Sequence, residues 1–250
     1  MKCCNQLALR CLVILFACIS LPVIATDRVG YLVTDVSWEP YWIMEGNKST
    51  GILNDVMLEL DNRLSVSLYP SPPLSVRRSK IAFNKGDFEI ECCVNIAWRN
   101  SMQDRAVSVW SDTVLIVEEV LVFPKGKAFK FEGLQDLTDR YISTVRGYGY
   151  VGEAFFNRSD SVNNITQISQ VSLQRSDAAI IDKAELSYIQ QHLSELDNMW
   201  THIELGPVIN RSELKIRVHI SRTDILESIN DALSDMKKQG VIEKIVHRYY

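Results

Sequence analysis

The feature that most constrains the fold of this chain is an alternation of strand-like and helix-like segments over its first hundred residues. Residues 52–64 repeat apolar side chains at every fourth position, and residues 74–86 form a second helical segment that stops at a glycine. Strand-like runs lie before, between and after these two segments, at residues 28–36, 64–70 and 87–94. Such alternation predicts an α/β fold with parallel strands.

The second half of the chain continues this pattern less regularly. A β-branched run at 111–126 turns at Pro124, and a short helical connection at 131–139 follows it. A strand-like run at 140–150 ends in two glycines, which we expect to lead directly into a helix at 151–157. The other predicted elements are a strand at 175–182 and helices at 183–193, 225–238 and 241–250.

The N-terminus has the pattern of an export signal. Lys2 and Arg10 precede an apolar run at 11–24, and Ala25 ends a signal-peptidase site. The run is shorter than the ~20 residues that a membrane-spanning helix needs. We therefore expect a signal peptide over residues 1–25, cleaved near Ala25, and a soluble, exported mature protein.

A rival interpretation takes the letters LFAC as a lipoprotein box in which Cys18 is lipidated. Phe16 is bulky for that motif and a good cleavage site follows at Ala25, so cleavage at Ala25 is favoured. Either route leaves few cysteines in the mature protein. Cleavage near Ala25 removes four of the six, namely Cys3, Cys4, Cys11 and Cys18.

The charge of the chain argues against nucleic acid as a partner. The formal net charge is −4, and loss of Lys2 and Arg10 with the signal makes it more negative. No basic surplus is left to neutralise phosphates. The sequence also lacks a Ser-His-Asp set, a phosphate-binding loop and a His-Glu-x-x-His motif, so we expect no cofactor.

The two remaining cysteines, Cys92 and Cys93, are adjacent at the end of the strand-like run 87–94. Redox motifs usually separate two cysteines by two residues, and a zinc site needs further ligands nearby. The histidines are about a hundred residues away or more, at His192, His202, His219 and His247. We interpret the pair as small strand residues, expect no bound metal, and leave their redox state open.

Seven segments, in this order and spacing, resemble the extracellular solute-binding proteins of family 3, the periplasmic receptors of polar amino acid uptake. The resemblance covers nearly all of the mature chain. The segments are SWEPYW, GILNDVMLEL, KGDFEIE, QDRAVSVWSD, LQDLTDRYISTVRGYGY, LQRSDAAIID and INDALSDMKKQGVIEKIVHRYY.

This resemblance implies a periplasmic-binding-protein-like α/β fold of the second type, with two lobes, the second lobe inserted in the first, and a ligand cleft between them. Lobe 1 would comprise residues 26–116 and 207–250, and lobe 2 would comprise residues 117–206. The chain would cross between the lobes near 115–120 and 204–208. The lobes would close on the ligand by a hinge motion.

The resemblance also implies an arginine that binds the carboxylate of the ligand. Arg105 stands at the family position, and its planar guanidinium suits a bidentate pair with a carboxylate. Arg99 is a rival, because the segment between the strand and Arg105 is longer than usual for the family. We expect one of the two to hold the ligand's anionic group.

Lobe 2 would contribute the remaining polar contacts. Gly147, Tyr148 and Gly149 lie at a predicted strand-to-helix turn, where free N–H groups would attract an anion. Asp182 matches the family's acceptor for the ligand ammonium, and it is also placed to cap the helix that follows it.

Aromatic and small side chains would form the walls of the cleft. Trp38 and Tyr41 match the family's aromatic wall, which covers the aliphatic or cationic part of the ligand. Asp35 lies near them and would select a cationic side chain. Four further candidates for the lining are Arg77, Cys93, Asn95 and Trp98.

We therefore expect a monomeric solute-binding protein that captures a small polar, carboxylate-bearing, amino acid-like solute for an ABC-type transporter or a sensor. The alternative is an enzyme of the cleft that resembles cyclohexadienyl dehydratase. That chemistry needs a carboxylic acid to protonate a leaving hydroxyl, and Glu39 and Glu91 are the candidates by position.

Overall fold

A computed structural model describes residues 27–192 and 197–249. The predicted signal peptide, with Cys18 and Ala25, lies outside the described residues. Within the described part of the chain, no helix combines the length and apolar character needed to cross a bilayer.

The ten strands of the described residues form one large sheet and one small hairpin. They are β1 (Arg28–Tyr31), β2 (Ile43–Glu45), β3 (Lys48–Thr50), β4 (Ser67–Pro70), β5 (Ile90–Val94), β6 (Ser108–Pro124), β7 (Tyr141–Val145), β8 (Asn157–Ser161), β9 (Ala178–Asp182) and β10 (Ile203–His219). The large sheet has the order β4-β1-β5-β10-β6-β9-β7-β8, and β2 pairs with β3.

Helices connect and cover these strands. The α-helices are α1 (Ile52–Asp61), α2 (Val76–Lys85), α3 (Met102–Ala106), α4 (Asn164–Ser172), α5 (Lys183–His192), α6 (Asp197–Trp200), α7 (Leu226–Lys238) and α8 (Val241–Val246). Short 3-10 turns lie at Ile96–Arg99, Leu134–Leu137 and Ile220–Ile225. The predicted α/β class is confirmed, with parallel pairing of β1 to β4 and β5, and of β7 to β8 and β9.

Two lobes are built on the two ends of this sheet. The lobe 1 core packs β1, β4 and β5 against α1, α7 and α8. In lobe 2, alternate residues of β9 point to opposite faces, so Ile181 packs into one apolar cluster and Ile180 into the other. Both cores share β6, which contributes Val117 to lobe 1 and Val120 to lobe 2.

The lobes are joined by the two longest strands. β6 and β10 each have 17 residues and pair antiparallel over most of their length. The change of core along β6 falls inside the predicted crossing at 115–120. The domain limits 26–116, 117–206 and 207–250 stay a prediction.

Several local predictions are confirmed by the helix bounds. α1 and α2 occupy the predicted segments, and Gly86 ends α2 in the left-handed conformation at φ 76°. Gly240 also has the left-handed conformation, with φ 66°, and it separates α7 from α8. These elements were predictable because their apolar period and their stop signals are local.

The helix predicted at 151–157 is wrong. The segment forms turns in which Phe155 N–H bonds the carbonyl of Gly152, and Gly152 has φ 72°. Asn157 then begins β8 beside β7, with its N–H bonded to the carbonyl of Arg140. A left-handed residue inside the segment interrupts a helix, so the chain turns and forms an edge strand.

Among the described elements that the sequence analysis did not predict, the two longest are β10 and α4. Most of β10 is a central strand, although only the crossing at 204–208 was expected there. α4 was not predicted either; Asn163 caps it by accepting from Thr166 N–H at 2.9 Å, and Ile168 and Val171 are its buried face.

Candidate functional site

A cavity of about 440 Å³ lies between the lobes. Lobe 1 lines it with residues that follow β1, among them Thr34 and Trp38, and with the end of β5 and the turn after it, among them Cys93 and Arg99. Lobe 2 lines it with the turn 147–150 after β7 and with the junction of β9 and α5. The lining therefore collects at the carboxyl ends of parallel strands, where ligands of open α/β sheets usually bind.

Asp182 lies in the cavity wall, and its carboxyl accepts three hydrogen bonds. Its Oδ1 accepts hydrogen bonds from Ala184 N–H at 2.9 Å and from Glu185 N–H at 3.1 Å, so the predicted capping of α5 is confirmed. The same oxygen accepts from the Tyr41 hydroxyl at 2.9 Å. Asp182 is only 7% exposed, and its other oxygen, Oδ2, is buried without a hydrogen-bond partner among the described residues.

Two glutamates lie beside Asp182. Glu185 is 5% exposed, and the side chains of Asn164 and Trp38 lie close enough to its carboxyl to oppose the rise of its pKa. Glu119 accepts from Asn210 Nδ2 at 2.6 Å. Because β6 pairs with β9 in a register that sets Glu119 opposite Asp182, the two carboxyls approach each other at the cavity floor.

Burial governs the ionisation of these three carboxyls. It raises the pKa of Asp182 to about 6, against hydrogen bonds to the carboxylate that lower it. Burial also raises the pKa of Glu185 well above its usual value, and the nearby Asp182 raises it further. The pKa of Glu119 is raised by burial as well, with the bond from Asn210 opposing the shift. These three carboxyls therefore keep their protons to a higher pH than exposed carboxyls do.

The arginine that lines the cavity is already paired. Arg99 Nε lies 3.0 Å from each carboxylate oxygen of Glu91, and Arg99 Nη2 also bonds Glu91. Behind them, the fully buried Arg217 bonds Glu91 at 3.0 Å and Asp104 at 3.0 Å. This network ties β5, α3 and β10 together under the cavity.

Arg105, the first candidate for the carboxylate, does not line the cavity. It is exposed on α3 and donates to Asn100 Oδ1 at 3.1 Å. The longer segment between β5 and α3 folds into the 3-10 turn at Ile96–Arg99, which brings Arg99 rather than Arg105 to the cavity.

Aromatic faces and the cysteine pair complete the walls. Trp38 and Trp98 lie edge to face with ring centroids 5.9 Å apart, and Tyr148 faces the cavity from lobe 2. Cys92 and Cys93 are joined by a disulfide and both line the cavity. Within the described ranges, no group of three or more His, Cys, Asp or Glu side chains is arranged to hold a metal ion.

The structure brings together most of the candidates from the sequence. The predicted residues that line the cavity are Trp38, Cys93, Trp98, Arg99, Gly147, Tyr148, Gly149 and Asp182. Tyr41 is buried behind Trp38, with ring centroids 4.3 Å apart, and reaches Asp182. Outside the lining lie Asp35, Arg77, Asn95 and Arg105; Asn95 instead caps the 3-10 turn by accepting from Ala97 N–H at 2.8 Å.

Sequence reasoning missed Glu185 and Glu119. Glu185 had a readable signal, because a carboxylate three residues after a capping Asp is typical of the first turn of a helix. Glu119 had no such signal in the sequence, since its place beside Asp182 depends on the register between β6 and β9. Glu91 was considered only as a catalytic acid, and its pairing with two arginines was not foreseen.

Comparisons with solved structures identify the class of fold. The ligand-binding core of GluR0 in complex with L-glutamate is similar with TM-score 0.68 and 15% identity, over 90% of this chain and 97% of that one. An ancestral arginine-binding protein bound to arginine is similar with TM-score 0.62 and 20% identity, over 90% of this chain and 98% of that one. The L-cystine solute receptor of Neisseria gonorrhoeae, in an unliganded open conformation, is similar with TM-score 0.67 and 14% identity, over 90% of this chain and 94% of that one.

The chain therefore has the bilobal fold of periplasmic solute-binding proteins, as the sequence resemblance implied. No protein-family model matches the sequence, and no curated protein matches it either. At these levels of identity the likeness concerns the fold.

Proposed function

We propose that this protein is a solute-binding protein that captures a small polar, amino acid-like solute in the cleft between its lobes. The observation that carries the proposal is the cavity itself, which both lobes line and where buried polar groups converge. The direct bond from Tyr41 in lobe 1 to Asp182 in lobe 2 supports a conformation in which the lobes meet around a ligand. The ligands named for the similar structures, glutamate, arginine and cystine, fit this proposal.

The proposed binding residues are the predicted candidates that reach the cavity, joined by the two glutamates. Trp38, Trp98 and Tyr148 supply aromatic faces, and the Gly147–Gly149 turn closes the lobe 2 side. Asp182 supplies a carboxylate oxygen, Oδ2, that is buried and has no hydrogen-bond partner among the described residues, and Tyr41 orients the carboxyl.

The protein would act in the periplasm as a monomer, after removal of the signal peptide near Ala25. It would deliver its solute to the permease of an ABC-type transporter or report the solute to a sensor. A binding role needs no cofactor, and the negative net charge fits a protein that does not engage nucleic acid.

An enzyme of the cleft is the alternative, and one observation favours it. Glu185 is a buried carboxyl whose pKa is raised well above its usual value by burial and, secondly, by the nearby Asp182. A general acid for carbon–oxygen elimination needs that property. Glu91, the earlier candidate, instead accepts bonds from Arg99 and Arg217. Turnover of a cyclohexadienyl carboxylate, abolished in Glu185→Gln, would establish the lyase.

A thermal-shift screen of the mature protein tests the binding role. The screen would include amino acids, amines, carboxylates and sugars. A ligand at a hundred times its Kd stabilises the folded state by about 2.7 kcal/mol, which raises Tm by several degrees. Failure of every class of compound to raise Tm would contradict a solute-binding function.

A further inference from the structure

We propose that the cleft selects an amine cation without a carboxylate over the corresponding amino acid. This inference rests on the proposed solute-binding function and names the ligand class of the same site. It departs from the sequence-based expectation of a carboxylate held by Arg105 or Arg99.

The charged groups of the lining point to a cation. Among the described residues that line the cavity, four are acidic and Arg99 is the one basic side chain. Glu91 engages Arg99 through both carboxylate oxygens. The three acids left over, Glu119, Asp182 and Glu185, lie on lobe 2 and face the cavity without a basic partner among its lining residues.

Asp182 supplies a buried carboxylate oxygen that lacks a hydrogen-bond donor among the described residues. The side chain is more than nine-tenths buried and lines the cavity, and Oδ1 already accepts three hydrogen bonds. Oδ2 accepts none within the described part of the chain. A buried carboxylate oxygen without a partner is costly, and an ammonium donor would satisfy it.

The arginine side chains expected to hold a carboxylate are engaged or elsewhere. Arg105 is exposed outside the cavity, and Arg99 would have to break a bidentate pair with Glu91 before it could bind one. The turn at Gly147–Gly149 leads into further turns rather than a helix, so no helix N-terminus faces the ligand there. Tyr148 N–H is also used, since it bonds the carbonyl of Val145 at 3.2 Å.

The aromatic walls suit the same ligand. Trp38 and Trp98 of lobe 1 and Tyr148 of lobe 2 present ring faces and edges around the acidic floor. Aromatic faces attract cations, and they cover methylene groups equally well. An alkyl amine would therefore place its charge on Asp182 and its chain between the rings.

Matched pairs of probes that differ only in the carboxylate test the inference directly. We would measure the Kd of agmatine against L-arginine and of cadaverine against L-lysine by calorimetry on the mature protein at pH 7.5. We expect at least one amine to bind ten times tighter than its amino acid. Amino acids that bind as tightly as the amines, or amines that do not bind at all, would overturn the inference.

Variants assign the binding to the acidic floor. Asp182→Asn keeps a side-chain oxygen that can cap α5 but removes the charge, and Glu185→Gln is a second isosteric change. We expect Asp182→Asn to weaken amine binding at least tenfold, and Glu185→Gln, at a carboxyl whose pKa is raised well above its usual value, to weaken it less. The matched control is Asp231→Asn, which removes one charge from the exposed face of α7 and should change the Kd by less than twofold. Equal affinities in all three variants would overturn the inference.

The broader screen separates this inference from the proposed function. A neutral or anionic solute as the best ligand would overturn the amine preference and leave the solute-binding function intact. A protein that binds no compound of any class would overturn both.

Discussion

The hydroxyl of Tyr41 donates a 2.9 Å hydrogen bond to Oδ1 of Asp182, although 141 residues separate the two in the chain. Tyr41 belongs to the lobe 1 core and Asp182 ends a strand of lobe 2. The bond is therefore a direct link between the lobes at the floor of the cavity, and it orients a carboxyl whose second oxygen accepts no hydrogen bond from the residues that the structure describes.

Tyr41→Phe should weaken ligand binding while leaving the fold intact. The substitution keeps the ring in the core and removes a hydrogen bond to a charged acceptor, a loss of roughly 1 to 2 kcal/mol. Because opening of the lobes breaks this bond, we expect affinity to fall about five- to thirtyfold. Calorimetry on the ligand from the screen measures it. Tyr141→Phe, at an exposed tyrosine of β7, is the control and should bind as the parent does.

The affinity for an amine should rise with pH and level off above about pH 6. Asp182 faces Tyr41, Glu119 and Glu185, and burial raises its pKa from 3.8 to about 6. Below pH 6 a cation must displace a proton from Asp182, so the affinity should fall by up to tenfold per pH unit. Calorimetry at pH 5, 6 and 7.5 measures this slope, which Asp182→Asn should flatten. Affinity that rises on acidification would contradict the prediction.

The same shift has the opposite effect on stability without ligand. A carboxyl whose pKa is higher in the folded state than in the unfolded chain keeps its proton more tightly when folded. Its stabilising contribution is complete below about pH 4 and is lost as pH rises through 6. Asp182→Asn should therefore remove part of any loss of Tm between pH 4 and 7. A Tm profile identical to that of the parent would contradict this assignment.

Arg217→Met should destabilise the protein strongly. Arg217 is fully buried and pairs with Glu91 and Asp104, so its removal leaves two carboxylates with fewer partners. Breaking a buried pair by removing one partner costs about 3 to 5 kcal/mol. Urea unfolding should show this decrease in the free energy of unfolding. Arg105→Ala, at an exposed arginine, is the control and should change it by less than about 0.5 kcal/mol.

A chain truncated after residue 206 should not fold into a stable lobe 1. Most of β10 would be lost, and β10 lies between β5 and β6 in the sheet. Helices α7 and α8, which supply Leu233 and Ile242 to the lobe 1 core, would be lost as well. Circular dichroism and thermal unfolding of the fragment test this. A cooperative transition from the truncated chain would refute the predicted double crossing.

The sequence predicted those parts of the fold whose signals are local. The repeat of apolar residues in α1, the glycine that ends α2 and the residue that caps α5 are each local features of about a dozen residues or fewer. β10 was underestimated because a strand that is central in the sheet is recognised by its partners rather than by its own composition. The turn after β7 was mistaken for a helix because the conformation of Gly152 is not visible in its neighbours.

The candidate site was predictable to a similar extent. Residues that follow strand ends, such as Trp38, Arg99 and Asp182, could be placed near the cleft from the order of elements. The sequence could not show which of these residues stay available for a ligand. The pairing of Arg99 with Glu91 and the approach of Glu119 to Asp182 depend on tertiary packing.

The shared strands β6 and β10 also limit how the lobes can move. An antiparallel ribbon twists and bends readily, but sliding one strand along the other would break the whole row of backbone bonds between them. If the lobes open, as proposed, they would do so by rotation about this ribbon rather than by sliding along it. Glu119 lies on that ribbon and lines the cavity, so one carboxyl of the proposed site belongs to the strands that join the lobes.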